Sequence, residues 1–270
     1  EQLEYARKLT KRDAAGNVTQ WGIEVPSSGF PYWLFQAFTT QNDALLMNPA
    51  GTHTYFDKPA VIEALQYWVD LSRRDKVMPP GIIDWGTTPK DFFERKTAMM
   101  WTTTGNLTNI KTNAKFDFGV GTLPYYPSVK GAPQNTIIGG ATLWVMTQKN
   151  KDVYKGIAKF FTFLSSPDIQ VDWHKSTGYV PITIAAYELA KKQGLYTERP
   201  GFDIAIKELT NKPPTPNSRG LRLGNFVQIR NVIDEELESV WSGQKTAKQA
   251  LDEAVKRGNE LLVRFQKANQ

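Results

Sequence analysis

The run Ile137-Ile138-Gly139-Gly140-Ala141-Thr142-Leu143-Trp144-Val145-Met146 constrains this chain more than any other stretch. It is an apolar segment of strand-forming residues with two glycines in its middle. A strand buried on both faces of an α/β core has this unbroken apolar character. Glycine weakens a strand and lets backbone or ligand approach closely. Two readings stay open from these residues: a bulge in a buried strand, or a strand crossing between two lobes with Gly139 and Gly140 at a ligand cleft.

With 270 residues, 40% hydrophobic and 22% charged, the composition fits a globular protein of one large domain or two small ones. No apolar run nears the ~20 residues of a membrane span. The first residues carry no signal-peptide pattern. They read instead as the middle of an amphipathic helix, with Leu3, Ala6 and Leu9 on one face, closing near Gly16-Asn17. We therefore expect chain to precede Glu1. The net charge of +6 comes from scattered Lys and Arg without a basic block, which argues against nucleic acid as a partner. The absence of cysteine excludes disulfides, thiolate metal sites and a cysteine nucleophile.

Along the chain, Trp21–Val25 reads as a strand, followed by a turn-rich loop from Pro26 to Pro31 and the aromatics Phe30, Tyr32, Trp33, Phe35 and Phe38. Pro59 opens a helix with an apolar stripe through Val61, Ile62, Leu65, Trp68 and Val69. The segment 79–89 is a loop, and 92–96 a short helix. The strand 98–101 ends in Thr102-Thr103-Thr104-Gly105, hydroxyls placed either to face a cleft or to cap the helix starting near Leu107. Residues 116–121 read as another strand. Helices follow over 153–164, around Ile169 and Trp173, and from Thr183 to Gly194. After the extended linker 211–216, two helices close the chain, one from about Phe226 to Trp241 and one after Thr246.

The chemistry of an enzyme is hard to find here. His53 and His174 are isolated in sequence and fit surface or internally satisfied positions. Neither HExxH, GxSxG nor a Walker A sequence occurs, and Gly119 with Gly121 does not form a dinucleotide fingerprint. Nothing calls for a metal or a cofactor. The acidic run 234–238 reads as a solvated helix face. By contrast, Ser218–Asn225 is a basic, glycine-containing loop leading into a helix, with Arg230 about one turn further on. Such a helix start attracts phosphate, and a guanidinium fork fits phosphate oxygens. The competing reading pairs Arg230 with Asp234 at i+4.

Four segments together resemble one family: residues 132–141 (Ala-Pro-Gln-Asn-Thr-Ile-Ile-Gly-Gly-Ala), 175–183 (Lys-Ser-Thr-Gly-Tyr-Val-Pro-Ile-Thr), 220–225 (Gly-Leu-Arg-Leu-Gly-Asn) and 234–241 (Asp-Glu-Glu-Leu-Glu-Ser-Val-Trp). They are similar to the sn-glycerol-3-phosphate-binding periplasmic proteins of ABC importers, within the family 1 extracellular solute-binding proteins. The resemblance implies an α/β, type II periplasmic binding-protein fold that closes on its ligand by a hinge. It implies a binding protein and not an enzyme, working in the periplasm. The ligand would be sn-glycerol 3-phosphate or a glycerophosphodiester such as glycerophosphocholine, and the partners the ABC permease subunits in the membrane. The family's ligand positions fall on Thr103, Gly140, Tyr179 and Arg230. Phe30 stands where a relative has tryptophan beside the ligand. The resemblance also implies that residues 1–139 and 207–270 form the C-terminal lobe, and that 140–206 is a hinge strand with a segment of the N-terminal lobe. The rest of that first lobe would precede Glu1 or come from another chain. A sugar binder of the same fold, stacking its ligand on the aromatics of 30–38, is the alternative, and a phosphodiester hydrolase a more distant third.

Overall fold

The computed structural model describes residues 1–148 and 150–269. The elements are α1 (Gln2–Leu9), β1 (Lys11–Arg12), β2 (Val18–Gln20), α2 (Pro31–Gln41), α3 (Pro59–Arg73), α4 (Thr88–Phe93), α5 (Leu107–Asn113), α6 (Asp152–Leu164), α7 (Pro167–Thr177), α8 (Ile184–Lys192), α9 (Leu195–Glu198), α10 (Ile204–Leu209), α11 (Phe226–Trp241) and α12 (Ala247–Ala268). Short 3-10 turns occupy Thr104–Asn106 and Pro216–Arg219. The chain folds into two units. The first contains Glu1–Thr102, Leu123–Ile138 and Glu208–Gln270; the second contains Thr103–Thr122 and Gly139–Lys207.

The core of the first unit lies between α2, α3, α11 and α12. The stripe expected on α3 is buried there, and Trp68 packs its ring against Trp101 and Trp241 with centroids 5.9 and 5.1 Å away. Thr246 and Gln249 cap α12 reciprocally: each side chain takes a backbone N–H of the other. The segments 21–25 and 98–101 lie side by side in parallel through the bridges Trp21 to Thr97 and Glu24 to Met100. Gly22 is needed there, because a Cβ would sit 1.9 Å from the Ala6 carbonyl oxygen. The core of the second unit is smaller, built on Val171, Ala186, Ala190 and Leu195.

Four expectations are corrected. The first helix stops at Leu9 instead of running to Gly16, because β1 pairs with β2 in a two-stranded antiparallel hairpin. The helix expected at 92–96 lies upstream at Thr88–Phe93, with Pro89 in its first turn, where a missing N–H costs nothing. Residues 116–121 join no ladder among the described residues. The run 137–146 is the largest departure. Only Ile137 is buried; Ile138, Leu143, Trp144 and Met146 are 64%, 65%, 85% and 77% exposed. It joins no backbone ladder among the described residues, and so is not a bulge in a buried strand. A strand exists only through hydrogen bonds to a neighbour, and none pairs with this run among the described residues. The passage from the first unit to the second falls between Ile138 and Gly139.

Candidate functional site

Arg230 lies in the second turn of α11, in the first unit. The helix begins at Asn225, whose left-handed backbone (φ 52°) turns the chain out of the preceding loop. The guanidinium stacks over the Tyr32 ring, 5.0 Å from its centroid, and Nη1 donates to the Tyr32 hydroxyl at 3.3 Å. Such stacking contributes about 0.5–2 kcal/mol and fixes the plane of the fork. Among the described residues Arg230 has no carboxylate within ion-pair distance. The expected alternative, a pair with Asp234, is therefore absent. Asp234 Oδ1 instead accepts the backbone N–H of Tyr32 at 3.0 Å, in the first turn of α2.

Tyr32 is thus held twice, through its backbone by Asp234 and through its ring by Arg230. The acidic run read as a solvated face is partly internal: Glu236 is buried and takes Lys245 at 2.5 Å and Arg257 at 2.8 Å. Burial pushes the Asp234 carboxyl up to about 6 from its ordinary 3.8, only partly opposed by the Tyr32 N–H and Arg230. A carboxyl that holds its proton more tightly when folded loses stability as pH rises from about 4 to about 6. Asp234→Asn keeps an oxygen for the Tyr32 N–H. Thermal denaturation should show it gaining on the parent at pH 7 and not at pH 4.

Phe30 is the residue before α2 and is 51% exposed. It meets Trp85 edge to face at 5.8 Å, and Trp85 meets Trp33 at 6.2 Å. Trp85 lies in the stretch read only as a break in pattern, so its part in this aromatic wall had no local signal. The basic loop lines something else. Arg219 and Arg222 border a pocket of about 220 Å³ with Gln36, Thr40, Met47 and Asn217, and neither Arg230 nor Tyr32 borders it.

The second unit gathers Thr103, Gly140 and Tyr179. Thr103 Oγ1 accepts the Gly105 N–H at 3.3 Å and so caps the 3-10 turn ahead of α5. Gly178 ends α7 in the left-handed conformation (φ 84°), and its N–H bonds the His174 carbonyl at 2.9 Å. A Cβ there would stand 2.2 Å from the Thr104 carbonyl oxygen. Tyr179 follows directly, 45% exposed. A Cβ on Gly105 would stand 3.2 Å from one edge of its ring, and one on Gly140 would stand 3.8 Å from the other. Gly140 itself has φ 125°, a conformation that suits glycine alone. Gly178→Ala should cost about 1–3 kcal/mol in denaturant melts, with the Tyr179 ring resonances displaced. An unchanged melt would show that the turn relaxes freely.

Two units, an arginine without a carboxylate partner among the described residues, and exposed aromatics suit a solute-binding protein. The chain belongs to the bacterial extracellular solute-binding proteins, a family whose profile matches residues 3–202. It is 44% identical over 271 aligned residues to the sn-glycerol-3-phosphate-binding periplasmic protein UgpB of Salmonella typhimurium, an alignment covering 100% of this chain and 61% of that protein. The chain thus spans about three fifths of the length of the curated relatives it matches. Among solved structures, UgpB from Mycobacterium tuberculosis in complex with glycerophosphocholine superposes with a TM-score of 0.75 at 19% identity, over 94% of this chain and 61% of that one. A maltose/maltodextrin-binding domain from Bdellovibrio bacteriovorus bound to maltotriose gives 0.72 at 18% identity, over 97% and 65%. At these identities the likeness establishes the fold, that of the periplasmic solute-binding proteins. Among the described residues no helix is long and apolar enough to cross a membrane.

Proposed function

We propose that this chain takes part in capturing sn-glycerol 3-phosphate or glycerophosphodiesters such as glycerophosphocholine in the periplasm, for delivery to the permease subunits of an ABC importer. The observation that carries the reading is Arg230: a guanidinium held in plane by Tyr32, with no carboxylate partner among the described residues, on a chain 44% identical to a glycerol-3-phosphate binder. Arg230 binds the phosphate as a fork. Thr103 supplies a hydroxyl, Gly140 gives the ligand access to backbone, and Tyr179 and Phe30 present ring faces. Residues 1–139 with 207–270 make up the C-terminal lobe, and 140–206 the hinge and a segment of the N-terminal lobe. The protein binds without turnover.

Exposed Phe30, backed by the half-buried Trp85, favours a second reading, a sugar binder that stacks pyranose rings on aromatics. Calorimetry with glycerol 3-phosphate, glycerophosphocholine and maltose separates the two. Heat with the phosphorylated compounds alone is expected; heat with maltose alone overturns the proposal. Release of choline from glycerophosphocholine above a heat-treated control would overturn the non-catalytic reading.

A further inference from the structure

His174 is wholly buried on α7, and both its ring nitrogens are engaged. Nδ1 lies 2.7 Å from the Tyr179 carbonyl oxygen and Nε2 lies 3.3 Å from the Tyr196 hydroxyl. A carbonyl only accepts, so Nδ1 carries the proton and Nε2 accepts from Tyr196. The ring is therefore the neutral Nδ1–H tautomer. It packs against Tyr196 at 5.8 Å and Phe202 at 6.1 Å. The carbonyl it holds belongs to the residue whose ring lies beside Gly105 and Gly140. The preceding Gly178 rests on the Thr104 backbone. The Tyr179 peptide is thus gripped on one side by a glycine contact and on the other by an imidazole.

We infer that His174 is a positioning residue of the candidate ligand site: its Nδ1–H holds the Tyr179 carbonyl and sets where Tyr179 presents its side chain, and protonating the ring, which strengthens that bond and turns Nε2 into a donor, shifts that placement. This rests on the reading of Tyr179 as a ligand position. A proton on Nε2 turns that nitrogen into a donor facing a donor, so the Tyr196 hydroxyl must rotate to accept. The Tyr196 ring rests against Tyr187 of α8 at 5.5 Å, so the adjustment falls on its hydroxyl proton and on the imidazole. Asp203 also acts on the Tyr196 hydroxyl, and both Tyr187 and Asp203, after burial, hold its proton on. The cation facing the imidazole is Arg199, which donates to the Lys175 carbonyl at 2.7 Å and lies over Phe202 at 5.4 Å. Lys175 turns its ammonium to Gln193, and Lys207 pairs with Asp203. Burial first, and Arg199 with it, keep the ring's pKa below 6.5, against the Tyr179 carbonyl, which favours the charged form. The ring is neutral at pH 7 and charges only in acid. The fold then loses stability as pH falls below about 6.5, because the unfolded chain takes up that proton first.

The test is an NMR titration of the whole 13C,15N-labelled chain from pH 8 to pH 5. The Tyr179 carbonyl and ring signals should follow the titration of the His174 ring. In His174→Asn, whose amide donates to the same carbonyl without titrating, they should stay level. Tyr179 signals that ignore the His174 titration overturn the inference, and this needs no variant. Calorimetry with glycerophosphocholine supplies the second arm. Its phosphodiester keeps one charge across the range, whereas the glycerol 3-phosphate monoester titrates near 6. Affinity should change at least threefold, roughly, between pH 7 and pH 5 in the parent and remain level in His174→Asn. Level affinity in the parent while the Tyr179 signals move also overturns the inference. No heat with glycerophosphocholine at any pH, with Tyr179 still following His174, overturns the ligand assignment and upholds the positioning.

Discussion

Replacing Arg230 with alanine is expected to weaken glycerol 3-phosphate binding by at least ~10-fold while moving the melting temperature little. A desolvated hydrogen bond to a charged group contributes about 1.5–3 kcal/mol, and truncating an anchor costs more, because the phosphate is left desolvated without a partner. The small stability effect follows from the contacts observed: Arg230 leans on the Tyr32 ring and hydroxyl and makes no ion pair among the described residues. Tyr32 keeps its second attachment, the Asp234 carboxylate on its backbone N–H. Arg230→Lys should recover only part of the affinity, since an ammonium is a point charge and does not form the fork. Isothermal calorimetry beside a thermal melt reads both quantities. Intact affinity with a lowered melting temperature would make Arg230 a structural residue and move the phosphate contact to another cation, Arg222 first.

Trp68→Ala should be the most destabilising of these changes, at about 3–5 kcal/mol. Trp68 is wholly buried at the meeting of α3 with the segment ending in Trp101 and with the end of α11 carrying Trp241. Truncation leaves a void between two other indoles, and rigid rings close such a void poorly. Trp68→Phe should cost under about 1.5 kcal/mol, because it keeps an aromatic ring in the site and the indole N–H it removes has no hydrogen-bond partner among the described residues. Urea denaturation of the two variants tests this. Equal losses for alanine and phenylalanine would show that the indole N–H, and not the filled volume, is what matters at this position.

Much of the helical framework was legible in the residues. The Phe226–Trp241 helix has the bounds its periodicity predicts, Thr246 starts α12, and Thr183 caps α8 by accepting the Ala186 N–H at 3.2 Å. Each of these depends on partners three or four positions away, within the reach of a sequence pattern. The family was legible too, from four short segments that keep their order. Arg230 and Tyr179 were singled out in the same way. Their holders were not: Asp234 reaches Tyr32 across 202 residues, and Trp85 reaches Phe30 and Trp33 across half a hundred.

By itself, the sequence determined most of the longer helices, the Thr183 and Thr246 caps and the type of chemistry on offer, since these follow from local spacing and residue identity. Only the tertiary structure decided whether an apolar run has a neighbour to pair with. The run 137–146 has every strand-forming residue a buried strand needs, yet it is open to solvent and unpaired among the described residues. Only the tertiary structure decided, too, that Asp234 serves Tyr32 and that His174 serves Tyr179. A side chain's local pattern fixes which groups it can bond, but burial and the partners brought in by distant chain fix which of those bonds it makes.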